Sequence, residues 1–587
     1  MDAKECSEFE KAVLERALVS PRWLTGSSSI FWYKRMLRSD RWRFVLVNCE
    51  KGTCKPAFDH QALASALSSQ VEEQLNAEKL PFAWISLDVD GAWVRFQYKD
   101  KTWNFAQNGT LEEWQGEFDP GNYQIDRNIK KPSSRESKGQ SYVTIANQMT
   151  RGIKYFFIDY EGNSDWELGY VRARESEKFN APRGNRFKIK DLETGNCTVM
   201  DMTRESGIVN IEDTPDGLAL RWEDDPLADV NSESRADEAK PKLRPEYDLF
   251  TRKHNIWSRK DGIEKQVSFS GFEGDTFRSV SATPDGRFAV GMQVHAGSPF
   301  NIELKQAAPD TQLRPLIKTG KNGPASNALK GSHIRAGDHM ATPRPRLFDV
   351  EARREIPVDD ELFRNPYMIK SCGWSECGTK YQFLFNERGH KHVRLLEIGL
   401  DGAVKVLVED RSDTVVDYNQ KLWYKMLPAT NDLFWASERD GWNHIYRFSL
   451  EDGSLKNQVT KGDWLVRGVE FIDTKAQKIW FKILGYYKEQ DPYYEHLASV
   501  NFDGSGLRVL TEGDGSHRWR FGPDRRYLVD SWSRVDMLPQ VAVIDVATGK
   551  QTVLLQNEGL TSEEETRYPL TEREEIPCYR ENLRPSV

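Results

Sequence analysis

The chain has 587 residues, of which 38% are hydrophobic and 11% aromatic, so it can form several domains or one large repeat architecture with a substantial core. Its formal net charge is −8, and its basic residues are scattered rather than clustered. That balance argues against nucleic acid or an anionic membrane as the main partner. No uninterrupted apolar run approaches the ~20 residues that span a bilayer.

The N-terminus and the cysteines predict a cytoplasmic location. The first ten residues lack the apolar stretch of a secretory signal. The seven cysteines are an odd number without the regular spacing of a disulfide scaffold. Cys49 could face Cys54 across a hairpin, and Cys372 could face Cys377, but reduced thiols are the expected state.

Residues 1–140 are predicted to contain an N-terminal helix and the first strands of a β-repeat. Apolar positions at helical spacing predict an amphipathic helix over 5–18, and a second helix is predicted over 61–78. Aromatic and β-branched runs predict strands between these helices. Residues 83–97 alternate around an Asp-Val-Asp-Gly turn and predict a hairpin.

A compact β-domain is predicted at 141–205. The runs Tyr142-Val-Thr-Ile-Ala-Asn147 and Lys154-Tyr-Phe-Phe-Ile158, followed by the turn Asp159-Tyr-Glu-Gly162, resemble the β-domain of the von Hippel–Lindau tumour suppressor. The peptide-binding role of that domain is not carried over, because its ligand-contacting positions do not map onto this sequence. Residues 206–246 are acidic and poor in strand formers, which predicts a linker.

From 247 to 556 the sequence repeats with a period of roughly 45–60 residues, a length typical of propeller blades. The repeated turns are Thr283-Pro-Asp-Gly286, Gly373-Trp-Ser-Glu-Cys-Gly378, Ala429-Thr-Asn-Asp432, Asp473-Thr-Lys-Ala-Gln477 and Gly522-Pro-Asp-Arg525. The predicted fold is all-β, a seven- or eight-bladed β-propeller with a small inserted β-domain. Residues 297–345 are predicted to be a long excursion between strands, and residues 557–587 form a C-terminal tail.

An ordered series of motifs carries a family resemblance. The motifs are Pro21-Arg-Trp-Leu24, Phe31-Trp-Tyr-Lys34, Asp248-Leu-Phe-Thr-Arg-Lys-His-Asn-Ile-Trp257, Asn386-Glu-Arg-Gly-His-Lys391, Trp435-Ala-Ser-Glu-Arg-Asp-Gly-Trp-Asn-His-Ile-Tyr446 and Gln490-Asp-Pro-Tyr-Tyr-Glu-His496. In this order they resemble the N-terminal propeller of the dipeptidyl peptidase IV branch of the prolyl oligopeptidase family. Those enzymes cleave after the second residue of a peptide with Ser, Asp and His on a C-terminal α/β-hydrolase domain. Such a domain needs on the order of 200 residues, more than the tail at 557–587 provides. The resemblance therefore implies a relative without this domain.

One segment is similar to the nucleophile elbow of such hydrolases. In Gly373-Trp-Ser-Glu-Cys-Gly378, Cys377 stands where the elbow has its second glycine. Strand patterns flank the segment on both sides, whereas an elbow leads from a strand into a helix. The sequence therefore predicts a turn between two strands of a blade.

Loops on one face of a propeller converge on a funnel, where residues from successive blades can line one cavity. The ligand-binding candidates are Arg388, Trp442, Asn443, Trp464, Arg467, His517 and Trp532. Catalytic residues are unknown, and the acid–base candidates are His390, His444, Asp491 and Tyr493. The alternative is structural: the tryptophans pack between blades and Arg467 pairs with a carboxylate. Neither a metal nor a cofactor is predicted, because His390 and His392 lack a third ligand at matching spacing.

Three functions remain open from the sequence. The first is a hydrolase-less relative of dipeptidyl peptidase IV that binds a peptide or small molecule in its funnel without peptidase activity. The second is a non-hydrolytic enzyme, such as an isomerase or cyclase of specialised metabolism. The third is the propeller subunit or fragment of a dipeptidyl peptidase that acts with a separate hydrolase.

Overall fold

The computed structural model describes residues 19–224, 246–297, 303–319 and 339–555, with short gaps. The gaps of three or more residues within these ranges fall at 38–40, 119–122, 125–130, 135–139, 163–165 and 307–313. The helix predicted over 5–18 and the tail predicted at 557–587 lie outside the described residues. So do residues 225–245 of the predicted linker and much of the predicted excursion at 297–345.

The chain divides into two compact units. The first comprises Met1–Glu233, Val469–Asn501 and Gly506–Val587, and the second comprises Ser234–Gly468 with the short turn Phe502–Ser505. Strands account for most of the described residues in each unit.

The first unit contains four antiparallel sheets, each of four strands paired in chain order. The strands are β1 (Arg22–Trp23), β2 (Ile30–Met36), β3 (Trp42–Asn48), β4 (Thr53–Pro56), β5 (Ser86–Leu87), β6 (Trp93–Tyr98), β7 (Lys101–Ala106), β8 (Leu111–Glu113), β35 (Leu465–Asp473), β36 (Lys478–Leu484), β37 (His496–Asn501), β38 (Arg508–Val509), β39 (Ser516–Phe521), β40 (Tyr527–Arg534), β41 (Met537–Asp545) and β42 (Gln551–Leu555). The unit boundary falls inside β35.

Sheets from the two ends of the described chain pack against each other in this unit. Phe31 and Val47 of β2 and β3 share a buried cluster with Val529 and Val543 of β40 and β41. Alternating residues of each strand point to one face, so both sheets present an apolar layer to the contact. Burial of these side chains therefore joins strands that are far apart in sequence.

One α-helix is found among the described residues, α1 (His60–Val71), and it packs on the first two sheets. Its N-terminus is capped by Asp59, whose carboxylate accepts hydrogen bonds from two backbone amides of the first turn at 3.0 Å. Its buried face places Leu63 and Leu67 in a core with Phe44. The helix ends at Glu72 in a left-handed conformation, before the predicted end at residue 78.

The inserted domain is larger than predicted. It consists of β9 (Tyr123–Gln124), β10 (Gln140–Asn147), β11 (Ile153–Ile158), β12 (Trp166–Val171), β13 (Ser176–Pro182), β14 (Arg186–Asp191), β15 (Cys197–Asp201), β16 (Ser206–Thr214) and β17 (Gly217–Glu223). A five-stranded sheet in the order β13-β10-β16-β17-β9 and a four-stranded sheet in the order β12-β11-β14-β15 share one apolar core.

The prediction of a linker from residue 206 is therefore wrong for residues 206–223. These residues form β16 and β17, which bury Val209, Ile211 and Leu220 in the core of the inserted domain. The acidic residues after Glu223 bias the composition of the whole segment and hide the apolar pattern before it. The pairing of β16 with β10 is also parallel and non-local. It is not made through a short hairpin turn, so the neighbouring sequence does not predict it.

The second unit repeats the same sheet. Its strands are β18 (Asp248–Arg252), β19 (Asn255–Lys260), β20 (Ile263–Gln266), β21 (Asp275–Ala282), β22 (Phe288–His295), β23 (Glu303–Gln306), β24 (Leu316–Thr319), β25 (Thr342–Asp349), β26 (Arg354–Ile356), β27 (Pro366–Trp374), β28 (Lys380–Glu387), β29 (His392–Gly399), β30 (Val404–Arg411), β31 (Tyr424–Leu427), β32 (Asp432–Ser437), β33 (His444–Ser449) and β34 (Leu455–Gln458). The short 3-10 helices Glu361–Phe363 and Pro428–Thr430 lie between strands.

Three sheets of the second unit have four antiparallel strands, and β18–β20 form a three-stranded sheet. Strands β23 and β24 pair with each other inside the predicted excursion. Neighbouring sheets bury each other, as where Leu384 and Leu395 pack against Leu433 and Trp435. The predicted all-β fold of repeated four-stranded sheets, as in a propeller, is confirmed. The number of blades stays a prediction.

Candidate functional site

A cavity of about 150 Å³ opens in the second unit, where β30 and β32 end and β33 begins. It is lined by Asp410, Arg411, Ser412, Val415, Val416, Asp417, Lys421, Leu422, Ala436, Ser437, Glu438, Arg439 and Asn443. Most of these residues are polar or charged. Strand ends bring them together, because backbone at the end of a sheet is free to turn and present side chains to one side.

Asp410 organises the buried wall of the cavity. Its carboxylate accepts hydrogen bonds from Trp435 Nε1 at 2.8 Å, Ser437 Oγ at 2.5 Å and Arg439 Nη2 at 2.9 Å. The Arg439 guanidinium also lies 4.9 Å from the ring centroid of Tyr446. A buried carboxylate with three donors is rigid and fully paired, so this wall is fixed before any ligand arrives.

A second ion pair also lines the cavity. Lys421 Nζ lies 2.5 Å from Glu438 Oε1 and 3.9 Å from Asp417 Oδ2. These side chains are about one third exposed. Replacing their mutual ion pair by contacts with a ligand therefore costs little free energy. The cavity thus presents both signs of charge at its mouth.

Asn443, which lines the cavity, has a buried side-chain acceptor with no donor among the described residues. Its side-chain Nδ2 donates to the backbone carbonyl of Val466 at 2.7 Å, and the backbone carbonyl of Asn443 accepts from the Val466 amide at 2.8 Å. These bonds fix the side chain at the point where β33 begins. Its Oδ1 is buried without a hydrogen-bond partner among the described residues. A buried amide oxygen is normally satisfied, so a ligand N–H or a water is expected here.

Two predicted residues lie at or behind this cavity. Asn443 lines it, and His390 lies one layer behind it, because the His390 carbonyl accepts from the amide of Val416 at 2.8 Å. The His390 imidazole stacks on Tyr418 with centroids 4.3 Å apart and meets Tyr367 edge-on at 4.5 Å. This aromatic contact supports the cavity wall and leaves His390 outside the cavity.

His444 and Trp464 form a buried pair next to Asn443. His444 Nε2 donates to the carbonyl of Gly462 at 3.0 Å, so its Nδ1 accepts from the Thr460 hydroxyl at 3.1 Å. Burial lowers the pKa of His444, with the Gly462 carbonyl opposing the shift. Its ring meets Trp464 edge-on at 4.8 Å. Both ring nitrogens are therefore occupied in holding β33.

The same arrangement recurs in the next sheet along the chain. His496 is the first residue of β37 as His444 is of β33, and its Nδ1 lies 2.9 Å from the Thr511 carbonyl and 3.2 Å from Thr511 Oγ1. In both sheets the threonine hydroxyl also accepts the backbone amide that follows the histidine. Because the histidine–threonine pair occurs in both sheets, its role is structural, and His444 holds the start of β33 in place.

The other predicted residues of the second unit do not reach this cavity. Arg388 is exposed in the turn between β28 and β29, Arg467 is exposed on β35, and Trp442 is half-buried beside its turn. His392 pairs with Glu409 at 2.8 Å. Among the described residues no group of three His, Cys, Asp or Glu side chains is placed to hold a metal ion.

The remaining candidates lie in the first unit. His517 Nδ1 lies 2.8 Å from Asp530 Oδ2 and its Nε2 lies 2.7 Å from the Gly513 carbonyl, while its ring stacks on Trp532 at 5.5 Å. Burial raises the pKa of Asp530, and the bond to His517 opposes this shift. Asp491 and the strongly exposed Tyr493 share a turn, where Asp491 Oδ1 accepts the Tyr493 amide at 2.9 Å.

The segment that is similar to a nucleophile elbow is a turn between strands, as predicted. Ser375 follows β27 and precedes β28, and its amide and carbonyl close the turn to Lys380 and Gly378 at 2.8 Å each. Its hydroxyl contacts Cys377 Sγ at 3.3 Å and accepts the Lys380 amide at 3.2 Å. The hydroxyl is engaged in the turn rather than paired with an imidazole.

The five described cysteines, Cys49, Cys54, Cys197, Cys372 and Cys377, are free thiols. No helix in the part of the chain that the structure describes is long and apolar enough to cross a membrane.

Sequence reasoning missed most of the cavity. Ser437 and Arg439 lie in the motif Trp435–Tyr446 that carries the family resemblance, but Asp410 lies outside the quoted motifs, and it meets them from a strand that is not adjacent in the sequence. The signal available was the dense run of charged and polar residues at the end of β32. Such runs are common in exposed turns, so the run alone does not predict a cavity.

Comparisons with known proteins agree with this architecture. Residues 335–539, which include the cavity, match the family model described as the dipeptidyl peptidase IV (DPP IV) N-terminal region. The chain is therefore similar, over that segment, to the N-terminal region of dipeptidyl peptidase IV. The resemblance predicted from the motifs is confirmed at this level, whereas the von Hippel–Lindau likeness of the inserted domain stays a prediction.

Individual relatives are more distant. A probable dipeptidyl-aminopeptidase B of Coccidioides posadasii (strain C735) is 23% identical over 301 residues, which cover 45% of this chain and 31% of that protein. Dipeptidyl peptidase 4 of Trichophyton tonsurans is 21% identical over 286 residues, covering 44% and 35% respectively. The crystal structure of Porphyromonas gingivalis dipeptidyl peptidase 4 aligns with 95% of this chain and 62% of its own, at 13% identity and a TM-score of 0.37. The match spans about a third of the length of the curated relatives.

Proposed function

We propose that this chain is a binding protein whose cavity at residues 410–443 takes a short peptide or a small zwitterionic molecule. The observation that carries the proposal is the combination of balanced charges at the mouth and the buried, unpartnered Oδ1 of Asn443. A ligand with an ammonium group, a carboxylate and an N–H donor would satisfy all three features.

Charge balance supports this class of ligand. Glu438 and Asp417 can accept from an ammonium group, while Lys421 can donate to a carboxylate. Asp410 and Arg439 are already paired inside the wall, so they set the shape of the cavity rather than its charge. The volume of about 150 Å³ lies below the usual range for drug-sized ligands and favours one or two amino-acid residues.

We further propose that the site binds without cleaving. The described residues that line it include the hydroxyls of Ser412 and Ser437 but no imidazole. Ser437 Oγ donates to Asp410 and accepts from Arg439 Nε, so no histidine is placed to take its proton. Incubation with Gly-Pro-p-nitroanilide should release no nitroaniline, and turnover blocked by a serine-directed inhibitor would contradict the proposal.

Binding can be measured by titration calorimetry with the dipeptides Gly-Pro and Ala-Ala. Blocking the amine by N-acetylation or the carboxylate by amidation should weaken binding, because each removes one charge that the mouth complements. In the variants Glu438→Gln and Lys421→Gln, affinity for the free dipeptides should fall about tenfold, the effect of one lost charged hydrogen bond.

The matched control is the ion pair of Lys482 and Glu495, which is separated by 2.9 Å and has similar exposure. Lys482→Gln should bind both dipeptides as the unaltered protein does. An equal loss of dipeptide affinity in Lys482→Gln and Glu438→Gln would show a general charge effect. It would contradict binding at the proposed cavity. So would capped dipeptides that bind as tightly as free ones.

We propose a cytoplasmic location for this binding protein. Free thiols at all five described cysteines are typical of a reducing compartment. Fractionation of cells that express the chain should place it with cytosolic markers, and recovery from the culture medium would contradict this location.

A further inference from the structure

A second cavity, of about 440 Å³, lies in the first unit between the sheets β35–β38 and β39–β42. It opens at the ends of the turns that join β37 to β38, β39 to β40 and β41 to β42. Deeper in the same interface, Phe471 and Leu497 pack against Phe521 and Leu528. The interface is thus apolar in its interior and becomes mostly polar and charged where the cavity begins.

The floor of the cavity is one face of the sheet β36–β38. Lys478 and Trp480 are two residues apart on β36, so both point to the same face. Trp480 pairs across the sheet with Ser499, and Ser499 pairs in turn with Arg508 on β38. Directly opposed residues share a face, so the backbone register alone places a lysine, an indole and a guanidinium on one face of the sheet.

The indole at the centre of this floor is held rigidly. Trp480 is stacked on Phe471 with ring centroids 5.4 Å apart and an interplanar angle of 15°, and it meets Phe521 edge-on at 5.6 Å. Aromatic pairs of this geometry restrict the ring. Trp480 therefore gives the cavity a fixed apolar surface beside its charges.

The opposite wall adds more positive charge. Arg525 and Arg526 follow Asp524 in the turn between β39 and β40. Arg526 pairs with Glu50 at 2.6 Å, which offsets one of these charges, and Asp524 is the one carboxylate among the described lining residues.

Lys478 and Arg508 lack such compensation. Among the described residues neither has a carboxylate partner, and Arg508 Nη1 donates only to the backbone carbonyl of Ala547. Cations gathered in a concavity repel each other and attract counter-ions more strongly than they would on a convex surface. This occurs in a chain with a net charge of −8, so the positive cavity does not follow from bulk composition.

We propose that this cationic cavity binds small molecules that carry a phosphate or sulfate group. Arg508 and Lys478 offer N–H donors for a tetrahedral oxyanion, which guanidinium groups bind with several hydrogen bonds. Ser499 lies between Trp480 and Arg508 in the register, and Trp480 gives an apolar surface for the group that bears the anion. The volume falls within the ordinary range for small-molecule sites. The site shares no residue with the cavity at 410–443 and goes beyond the function proposed for it.

The test uses the full chain and four probes: inorganic phosphate, sulfate, acetate and 4-nitrophenyl phosphate. At equal ionic strength, phosphate or sulfate should raise the melting temperature more than acetate does. Calorimetry compares the two oxyanions and shows which one the site prefers. 4-Nitrophenyl phosphate should bind more tightly than inorganic phosphate because its ring can contact Trp480.

Two variants probe the site independently. Arg508→Gln and Lys478→Gln should each weaken binding of 4-nitrophenyl phosphate about tenfold, as expected for one charged hydrogen bond. The control is Arg364→Gln, an exposed arginine whose Nε lies 3.2 Å from Asp360, and it should bind as the unaltered protein does. Melting curves without ligand verify that each variant is folded.

Two outcomes would overturn the proposal. One is equal stabilisation by acetate, sulfate and phosphate, which would show screening of surface charge rather than a site. The other is equal affinity in the control and in both cavity variants that have folded. If only one cavity variant folds, its affinity decides the question.

Discussion

The regions around residues 410–467 and 478–547 are built from separate four-stranded sheets of the same type. The polar sites in the two regions nevertheless differ in their balance of charge. Each sheet begins its third strand with a histidine bound to a threonine, His444 with Thr460 and His496 with Thr511. The first region balances its charges in pairs, as in Asp410 with Arg439. The second gathers Lys478, Arg508, Arg525 and Arg526, of which Lys478 and Arg508 have no carboxylate partner among the described residues.

This difference shows that the repeat fixes the backbone and leaves the chemistry to a few side chains. The histidine–threonine pair anchors the strand in both regions, so its residues are not free for catalysis. The cavity at 410–443 includes Asn443, next to this pair, whereas the other cavity lies at the opposite end of β37 from His496. Their charge is set by residues that contribute little to the sheet itself, which is why two copies of one structural unit can serve different ligands.

The two histidines differ in how strongly they resist protonation, and this gives the largest expected effect. Burial and the nearby His517 lower the pKa of His496 to about 4, whereas an unfolded histidine titrates near 6.5. Above pH 6.5 both states are neutral. As the pH falls toward 4 the unfolded state gains the proton first, so the folded state should lose about 3 kcal/mol.

Urea unfolding at pH 7 and at pH 4 measures this loss. In His496→Gln the difference between the two pH values should shrink by about 3 kcal/mol, whatever the stability of the variant at pH 7. His254→Gln, at an exposed imidazole, is the control and should keep the full difference. An unchanged difference in His496→Gln would mean that His496 does not titrate in this way.

Neutralising one charge in each region should affect stability very differently. Asp410→Asn leaves Arg439 without its carboxylate and weakens the bonds from Trp435 and Ser437, so unfolding free energy should fall by about 2 kcal/mol. Lys478→Gln removes a cation from a cluster of like charge and should change stability by less than about 0.5 kcal/mol. Equal losses in urea unfolding would contradict the contrast between paired and unpaired charge.

Salt should separate the two cavities by a smaller margin. Raising ionic strength from about 50 to about 500 mM should weaken 4-nitrophenyl phosphate binding about tenfold, because salt screens a site of net charge. Dipeptide binding at the balanced cavity should change by no more than about twofold, since attraction and repulsion there are screened alike. Calorimetry over a salt series would show parallel slopes if the two sites did not differ in charge.

Much of the fold was predictable because its signals are local. Turns such as Thr283-Pro-Asp-Gly286 and strands such as β36 are encoded by adjacent residues, and the blade turn at Ser375 was correctly distinguished from a nucleophile elbow. The error at residues 206–223 has a clear cause: β16 and β17 complete a sheet through the non-local partner β10. The site was harder to predict, and of the candidates only Asn443 lines the cavity.

The sequence by itself determined the all-β class, the repeat of four-stranded sheets and the similarity to the dipeptidyl peptidase IV N-terminal region, because strand alternation and turn residues act over a few positions. Only the tertiary structure decided which polar residues meet. Asp410 accepts a hydrogen bond from Arg439, and Trp480 shares a sheet face with Arg508, on either side of Ser499. Such contacts depend on register and on packing between sheets, and the spacing of residues along the chain carries no record of either.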